Sequence, residues 1–449
     1  MFAATITSAA TNYRVIVLHS AEFTDSRAVA ASDGEQVGLG WGLWGSKHHA
    51  LLWSGTAESV VDLNPIGFDQ SEADGVWGGI QVGWGKGPAT GGYYHALQWS
   101  GTGESYVDLN PPGFTHSYAW DIHAGQKAGF GDNVATGRVH ALLWPGTAAS
   151  AVDLHPRGFD VSHAFDIWAG QQVGDGTGPA TGGRCHALLW SGTAESVVDL
   201  HPIGFDESEA SGVSGGLQVG YGYVGGQRRA LLWFGTPESV VDLHPAGFDY
   251  SEATGVSGGV QAGAGRGTAT GGIYHALLWS GTAESVVDLH TYLPSGYDFS
   301  WGYDIDSAGN IVGFASGPDT GDQAVMWVPV VAKSVKIDIK PGSHPNAVNL
   351  GTQGLIPIAI LSSPDFDATT VDPETVELAG AGVAVRGKGD KYMAHEEDVD
   401  GDGLVDLVVQ VSTENLEPGS FQDGYAVLTG QTHDGTPFEG RDEITIVPE

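Results

Sequence analysis

The chain has 449 residues, of which 70 are glycine and only 16% are charged, and its formal net charge is −36. A hydrophobic content of 41% is enough for a folded core and argues against a disordered chain. The acidic excess leaves no basic surface for phosphate backbones, which excludes nucleic acid as a partner. Abundant glycine with few charges favours many short strands joined by tight turns.

Signals for membranes and export are weak in this sequence. No apolar run approaches the roughly 18 residues that a membrane-spanning helix needs, so no membrane span is predicted. The amino-terminal stretch has neither the basic region nor the apolar region of a signal peptide, so an export signal is not visible in this chain. The single cysteine, Cys185, excludes an intrachain disulfide.

One segment, close to His-Ala-Leu-Leu-Trp-Ser-Gly-Thr-Ala-Glu-Ser-Val-Val-Asp-Leu, recurs along the first three quarters of the chain. A period near 45 residues with four strand-like pieces per unit is typical of a β-propeller. The tryptophans that mark the repeat are Trp53, Trp99, Trp144, Trp190, Trp233, Trp279 and Trp327. In the second unit the four pieces are Glu72–Val76, Ile80–Trp84, His95–Trp99 and Ser105–Leu109.

The two ends of the repeat region indicate how it closes. The last unit stops after its third strand, Ala324–Trp327, whereas Tyr13–Leu18 aligns with Glu58–Leu63, a fourth strand. An amino-terminal strand that completes the last unit leaves no open edge at that point. The sequence therefore predicts a seven-bladed β-propeller over residues 1–331, closed by this strand. An open solenoid, the alternative, would need polar caps at both ends.

The units resemble the HAF repeats of bacterial extracellular proteins over roughly residues 20–330. The resemblance implies an extracellular or cell-surface location, and because that family has no general assigned activity it implies no catalytic residues. The motif is carried in the fourth unit by His186-Ala187-Leu188-Leu189-Trp190, Asp199-Leu200, Ser208-Glu209-Ala210 and Gly216-Leu217-Gln218-Val219-Gly220.

Polar residues that recur in every unit favour a structural role. Equivalent positions in different blades point in different radial directions and cannot converge on one zinc ion, so hydrogen bonding within the repeat is the expected function. The third strands start with His49, His95, His140, His186, Arg229, His275 and Gln323. The fourth strands carry Asp62, Asp108, Asp153, Asp199, Asp242 and Asp288.

One position of the first strand differs from unit to unit while its neighbours do not. In a propeller this strand lines the central channel, so these residues are candidates for ligand binding at the channel mouth; the alternative is a position that faces bulk water and varies freely. They are Arg27, Glu72, Tyr118, His163, Glu209, Glu252 and Trp301. Loop aromatics that suit sugar faces are Trp41, Trp44, Trp84, Tyr93, Tyr94, Tyr221 and Tyr223.

After the repeats, residues 332–449 are predicted to form a β-sandwich. Strand-like segments follow one another with no helical stretch of comparable strength. The stretch from Lys336 to Leu350 and those that follow it resemble a module at the ends of secreted bacterial and archaeal proteins. The predicted strands are Val335–Ile339, Ile356–Leu361, Thr375–Leu378, Leu404–Val411, Tyr425–Thr429 and Glu443–Val447.

The strongest chemical signal of the chain lies in this second domain. Asp398, Asp400 and Asp402 alternate, Gly403 permits a sharp turn, and Asp406 follows. Calcium prefers oxygen ligands in such a loop, with the Leu404 carbonyl as a further one. The loop lacks the glutamate of an EF-hand and lies next to a strand, so it resembles the hairpin-borne loops of integrin-type and thrombospondin-type repeats. The sequence predicts a structural calcium site, with a solvated acidic turn as the alternative.

The functional expectation is a secreted or cell-surface binding or scaffold protein without catalytic activity. Near-identical repeats favour several equal, weak sites for a glycan or a surface or matrix component. The rival hypothesis is a propeller-fold polysaccharide hydrolase or lyase that uses Tyr118, His163, Glu209 and Glu252 at the channel mouth. A third is a purely structural surface-layer component. The sequence predicts no oligomeric state.

Overall fold

The computed structural model describes residues 12–42, 47–349, 354–387, 391–416, 421 and 424–447. Contacts divide the chain into two compact units, Met1–Pro329 and Val330–Glu449. The described part is all β, with single-turn 3-10 segments and no α-helix. None of its helices is long and apolar enough to cross a membrane. Trp44, one of the loop aromatics, lies outside the described residues.

The repeat units fold into four-stranded antiparallel sheets, of which the described residues form seven in the first unit. We number these sheets 1 to 7 along the chain and give their strands from the inside outward. Sheet 1 comprises Asp25–Ser32, Glu35–Trp41, His48–Trp53 and Val61–Asp62; sheet 2 Gln70–Trp77, Ile80–Lys86, Tyr94–Trp99 and Val107–Asp108; sheet 3 Phe114–His123, Gln126–Asn133, Arg138–Trp144 and Val152–Asp153; sheet 4 Val161–Trp168, Gln171–Thr177, His186–Trp190 and Val198–Asp199. Sheet 5 comprises Glu207–Ser214, Leu217–Val224, Gln227–Trp233 and Val241–Asp242; sheet 6 Phe248–Ser257, Val260–Gly267, His275–Trp279 and Val287–Asp288; sheet 7 Phe299–Ile305, Ile311–Gly317, Thr320–Pro329 and Tyr13–Val17.

Single-turn 3-10 segments connect many of these strands. Most follow a third strand, where the repeated Thr-Ala-Glu-Ser sequence turns the chain toward the short fourth strand. In the first unit they are Ala57–Ser59, Pro88–Thr90, Gly103–Ser105, Ala148–Ser150, Pro179–Thr181, Ala194–Ser196, Pro237–Ser239, Thr268–Thr270, Ala283–Ser285 and Leu289–Tyr292. The second unit has Ala368–Thr370 and Thr413–Asn415.

The amino-terminal strand completes sheet 7. Tyr13–Val17 pairs antiparallel with Thr320–Pro329, with Val15 opposite Trp327. The first strand of each sheet contacts the first strands of both neighbouring sheets, and the contact between sheets 7 and 1 closes the series. A ring of four-stranded antiparallel sheets is a β-propeller. The predictions of an all-β chain and of a propeller are therefore confirmed.

The core of this unit lies between neighbouring sheets. The repeated tryptophans, such as Trp53 and Trp99, are completely buried. Trp99 of sheet 2 packs in one cluster with Val37 and Leu52 of sheet 1. Third strands are covered on both faces, which is why they read as unbroken apolar runs rather than as alternating ones.

The recurring polar residues tie the sheets together. His140 Nδ1 lies 2.7 Å from Asp153 Oδ2. The Ser162 hydroxyl of the next sheet accepts a hydrogen bond from the backbone N–H of Ala141 at 3.0 Å and lies 2.8 Å from His155 Nδ1. Among the described residues no group of these histidines is arranged to hold a metal ion. Their role is to satisfy polar groups at the interface between sheets.

The second unit has two main sheets that share one apolar core. Ile358 and Val409 of one sheet and Leu428 and Phe438 of the other are completely or almost completely buried in it. The larger sheet contains Lys333–Val335, Pro437–Glu443, Tyr425–Thr432, Val371–Leu378 and Ala381–Gly382. The other contains Ile337–Ile339, Leu355–Ile360, Asp406–Ser412 and Ala394–Glu397, and a small pair joins Ala347–Asn349 to Thr445–Val447.

Candidate active site

A cavity of about 580 Å³ lies where the inner strands of the propeller meet. Every inner strand has a β-bulge at the same point, and in each case the bulged residue lines this cavity. A bulge re-aims a side chain that would otherwise follow the regular pleat. The bulged residues are Val29, Asp74, Trp120, Phe165, Ser211, Thr254 and Tyr303.

The repeated glycine of each second strand makes this bulge possible. A Cβ on Gly220 would lie 2.0 Å from the carbonyl oxygen of Glu209, a distance that no side chain tolerates. Only glycine lets the bulged backbone come this close. The equivalent glycines, all within 1.9–2.0 Å of such a carbonyl, are Gly38, Gly83, Gly129, Gly174, Gly220, Gly263 and Gly313.

The structure brings three of the seven predicted channel-mouth residues into the cavity wall: Arg27, Glu72 and Glu209. The other four lie outside that wall. Tyr118 stacks on Tyr94 with ring centres 5.6 Å apart. The rings of Trp301 and Tyr274 lie 5.1 Å apart. The remaining two, His163 and Glu252, form ion pairs with Asp175 and Arg228.

The bulged residues themselves were not predicted from the sequence. They lie two residues after the variable position, and in the aligned units they differ as much as that position does, from Val29 to Asp74 to Trp120. The signal that could have found the bulged residues is that two positions, two residues apart, both vary from unit to unit. An unbulged strand would place both on one face, whereas the bulge directs the second set into the channel.

Glu209 has the properties of a proton-transfer group. It lines the cavity, and its carboxylate accepts a hydrogen bond of 2.5 Å from the Tyr221 hydroxyl. Burial raises the pKa of Glu209 to about 7, although the hydrogen bond from Tyr221 lowers it, and the charges of Asp175 and Glu252 raise it further. At neutral pH Glu209 is therefore present partly as the acid and partly as the carboxylate.

The surroundings of Glu209 are fixed by an arginine. Arg228 forms an ion pair with Glu252, and its guanidinium lies 3.6 Å from the centre of the Tyr221 ring. Tyr250 donates a hydrogen bond of 2.5 Å to Glu252. Burial lowers the pKa of Arg228, but Glu252 and the tyrosines more than offset this, so the guanidinium keeps its charge. Tyr221 is thereby held against Glu209.

Cys185, the single cysteine, is not arranged as a nucleophile. Its thiol donates a hydrogen bond of 2.9 Å to Asp175, which also lies 2.6 Å from His163 Nδ1. Burial and the charge of Asp175 raise the pKa of Cys185, so the thiol stays protonated. The carboxylate separates thiol from imidazole, and the histidine cannot take the thiol proton.

A second acidic group of the cavity contains Glu72 and Asp74. His48 Nε2 lies 3.4 Å from Glu72 Oε2, an ion-pair distance when the imidazole is protonated. Burial raises the pKa of Asp74 well above its ordinary value, and the charge of Glu72 raises it further. The protonated form of Asp74 is therefore favoured as long as no cation lies beside it.

Arg27 is the one arginine of the described cavity wall, and its charge is already balanced. Its guanidinium donates hydrogen bonds of 2.8 and 2.5 Å to Asp322 and lies 4.4 Å from the centre of the Phe314 ring. Burial raises the pKa of nearby Tyr303 to about 12, although Arg27 lowers it. The described residues of the wall thus include no unpaired arginine or lysine.

Three further acids of the wall connect neighbouring sheets. Asp304 accepts a hydrogen bond of 3.0 Å from the backbone N–H of Ala31, and Asp166 accepts one of 2.6 Å from Val213. Asp121 accepts one of 3.2 Å from Ile167. Burial raises the pKa of all three, that of Asp304 to about 7. They are structural groups whose deprotonation is costly.

The acidic loop of the second unit lies in a hairpin between Ala394–Glu397 and Asp406–Ser412. Asp398, Asp400 and Asp406 offer carboxylate oxygens that all lie within 4.8 Å of one another. Asp406 is buried, and its oxygens accept hydrogen bonds from the backbone N–H groups of Ser362 and Val399 at 2.7 and 2.9 Å.

The sequence also assigned Asp402 and the Leu404 carbonyl to this metal site. Asp402 accepts a hydrogen bond of 2.7 Å from the N–H of Leu404 and is outside the group of three. The three remaining acids could hold a metal ion. The structure therefore agrees with the prediction of a metal site in this loop. Calcium as the metal, and Asp402 and the Leu404 carbonyl as ligands, remain predictions.

Comparison with known proteins gives similarity in fold alone. No protein-family model matches the sequence, and no curated protein is similar to it. The propeller domain of the Trilobed protease from Pyrococcus furiosus, described as having an open velcro topology, is 10% identical, with a TM-score of 0.47 over 69% of this chain and 94% of that one. A puromycin hydrolase is 12% identical, with a TM-score of 0.48 over 80% and 63%. Oligogalacturonate lyase from Vibrio parahaemolyticus is 10% identical, with a TM-score of 0.45 over 72% and 94%.

These structures correct one prediction. The sequence predicts a binding or scaffold protein without catalytic activity, and this is wrong, because the solved structures that resemble the chain are mostly peptidases and hydrolases, with one lyase. The repeats led to the error, since they suggested equal sites, whereas the cavity is asymmetric. Identities this low concern the fold, so the reaction is argued below from the site.

Proposed function

We propose that the first unit is an enzyme that hydrolyses glycosidic bonds in its cavity, with Glu209 as the proton donor. The observation that carries this proposal is Glu209 itself, a carboxyl group in the wall of an open cavity whose pKa is raised to about 7. A carboxylic acid kept partly protonated near neutral pH is what general acid catalysis requires.

Hydrolysis of a glycosidic bond uses two carboxyl groups. One protonates the leaving oxygen, and the other either attacks the sugar or takes a proton from water. In this proposal Glu209 is the first and Glu72, the other glutamate of the wall, is the second. The Tyr221 hydroxyl, 2.5 Å from Glu209, stabilises the carboxylate that remains after the proton has left.

The walls favour a sugar as the substrate. Trp41, Trp120, Phe165 and Tyr303 present aromatic surface beside polar groups, and flat rings of this kind pack against the apolar faces of sugars. Elimination from a uronic acid polymer is disfavoured, because the one arginine of the described wall is bound to Asp322. A polyanion would meet six acids there and one arginine whose charge is already balanced.

Loss of the Glu209 proton should abolish the reaction. The protein is offered neutral, cationic and anionic polysaccharides, and new reducing ends are measured. We expect turnover of at least one polymer and a decrease in kcat of roughly 10²- to 10⁴-fold in Glu209→Gln. Glu195→Gln, at an exposed position of a 3-10 segment, is the matched control and should behave as the wild type. Absence of turnover for every polymer would contradict the proposal.

The pH profile identifies Glu209 more directly. Because the acid form is the active one, activity should fall as the pH rises through about 7. The hydrogen bond from Tyr221 lowers the pKa of Glu209, so in Tyr221→Phe the fall in activity should occur at a higher pH. If activity falls at the same pH in Tyr221→Phe as in the wild type, the titrating group would be one other than Glu209.

For the second unit we propose a β-sandwich with a structural calcium site. Two sheets over one core support the sandwich, and the three converging carboxylates support the metal. Calcium takes six to eight oxygens at about 2.3–2.6 Å, so Asp402 and the Leu404 carbonyl are proposed as further ligands. The ion would neutralise acids that otherwise repel one another and so stabilise the hairpin.

Calcium should raise the unfolding temperature of the second unit. Binding at a hundredfold excess over Kd adds about 2.7 kcal/mol to the free energy of unfolding, which shifts Tm by several degrees. Thermal unfolding is measured with calcium and with a chelator, in the wild type, in Asp400→Asn and in the control Asp434→Asn. The shift should vanish in Asp400→Asn alone; equal shifts in all three proteins, or none, would remove the site.

We also propose that the propeller has seven blades and is closed by its amino-terminal strand. Seven four-stranded sheets in the described residues and the pairing of Tyr13–Val17 with sheet 7 support this. The HAF-type assignment of the repeats and an extracellular location stay predictions, which rest on the resemblance of the repeat motifs.

A further inference from the structure

One buried acid of the cavity has a carboxyl oxygen without a hydrogen-bond partner. Asp74 is only 9% exposed, and its Oδ2 has no hydrogen-bond partner among the described residues. After burial, the strongest influence on it is Glu72, which is itself an acid. Ionised Asp74 is therefore costly unless a cation lies beside it.

Aromatic rings pack against the histidine that lies beside Glu72. The His48 ring, whose Nε2 lies 3.4 Å from Glu72, is 5.5 Å from the Trp41 ring and 5.4 Å from the Trp84 ring. Aromatic faces attract cations through their quadrupoles. The cavity wall also contains the ring of Trp120.

Among the described residues the wall also holds no free arginine or lysine that could neutralise an ionised acid, and its one histidine, His48, lies beside Glu72. The described wall contains six acids and one arginine, and that arginine is bound to Asp322, outside the wall. A neutral sugar would supply hydroxyl donors but no positive charge, and an anionic sugar would add repulsion. A protonated amine supplies three N–H donors and one positive charge in the space of a single substituent.

We infer that Asp74, with Glu72 beside it, binds the ammonium group of an amino sugar, so that the substrate is a glucosamine-containing oligosaccharide. This inference rests on the proposed glycosidase activity for its sugar chemistry. The recognition itself is a binding property. It can be measured without turnover, and its failure is distinguishable from failure of the proposed reaction.

The test uses two oligosaccharides of equal length that differ in charge alone. The β-1,4-linked glucosamine hexamer and its fully N-acetylated counterpart are titrated calorimetrically into the protein at mildly acidic pH, where the amines are protonated. We expect at least about tenfold tighter binding of the glucosamine hexamer, which corresponds to about 1.4 kcal/mol. Equal affinity, or preference for the N-acetylated hexamer, would overturn the inference.

Variants separate recognition from catalysis. Asp74→Asn should bring the affinity ratio of the two hexamers close to one, whereas Glu195→Gln, at an exposed position of a 3-10 segment, should keep the wild-type ratio. Glu209→Gln should keep the ratio and lose turnover. Thermal unfolding verifies that each variant is folded, and Asp74→Glu should restore part of the preference if Asp74→Asn is unstable. A preference that survives in Asp74→Asn would contradict the assignment.

Discussion

At the scale of single residues, the cavity shows how burial sets chemistry. Glu209 and Asp304 are both acids of the inner strands, and burial raises the pKa of each to about 7. Their neighbours differ. Glu209 faces a tyrosine hydroxyl, whereas Asp304 accepts a backbone N–H of the next sheet. The same shift therefore belongs to the proposed proton donor in one case and to a contact between sheets in the other.

Asp304 should make the protein less stable at higher pH. Its pKa is higher in the folded than in the unfolded state, so its contribution to stability is fully present below about pH 4 and is lost as the pH rises through about 7. Asp304→Asn keeps an oxygen for the Ala31 N–H but cannot ionise. Between about pH 5 and pH 8 the variant should lose less unfolding free energy than the wild type, by on the order of 1–3 kcal/mol.

Urea unfolding at several pH values measures this difference. Asp33→Asn, at an exposed turn residue of sheet 1, is the control and should follow the wild type at each pH. Other buried acids with raised pKa values, such as Asp121 and Asp166, act in the same direction in all three proteins, and because the charge of Asp304 raises the pKa of Asp121, Asp304→Asn also relieves that part of the effect. Parallel curves for the wild type and Asp304→Asn would show that this carboxyl does not titrate on unfolding.

Sequence reasoning at this scale succeeded in part. The variable position contained Glu209, because a residue that departs from a repeat stands out against its constant neighbours. The pattern could not show that Tyr118 and Trp301 would pack against other rings instead of lining the cavity, since that depends on the residues opposite them. Asp74 was missed for a related reason: its orientation depends on a bulge.

At the scale of elements, the strands were predictable and the bulges were not. Apolar runs, turn glycines and the 45-residue period identify where strands lie, and the predicted pieces of sheet 2 agree with its observed strands to within two residues at most ends. A bulge inserts one unpaired residue and changes no composition. The one sequence feature that accompanies a bulge is the glycine on the opposite strand. At Gly83, for example, a Cβ would lie 1.9 Å from the Glu72 carbonyl oxygen.

The acidic hairpin shows a similar limit. Alternating aspartates indicate a loop whose carboxylates converge, and three of the four do so. Gly401 and Gly403 have φ values of +77° and +91°, a backbone region that glycine adopts freely. The spacing alone did not show that Asp402 would turn back to the N–H of Leu404.

At the scale of the whole molecule, ring closure places the site. The inner strands surround one cavity only if sheets 7 and 1 are neighbours, and the amino-terminal strand is the segment of sheet 7 that comes from the other end of the repeat region. This feature was predictable because the first and last units are each incomplete in a complementary way. The asymmetric lining was not predictable, because it arises where seven different side chains meet.

A disulfide between the amino-terminal strand and the third strand of sheet 7 should form without strain and stabilise the ring. Arg14 lies opposite Val328 in the antiparallel pairing, and directly opposed Cα atoms of about 4.5–5.5 Å separation suit a disulfide. Arg14→Cys with Val328→Cys should oxidise quantitatively and raise Tm, because a link across the whole repeat region removes on the order of 5 kcal/mol of unfolded-state entropy. Arg14→Cys with Met326→Cys, two residues out of register, should remain reduced. Free-thiol counts and reducing against non-reducing thermal scans measure both, and preferential oxidation of the out-of-register pair would mean that the ring closes differently.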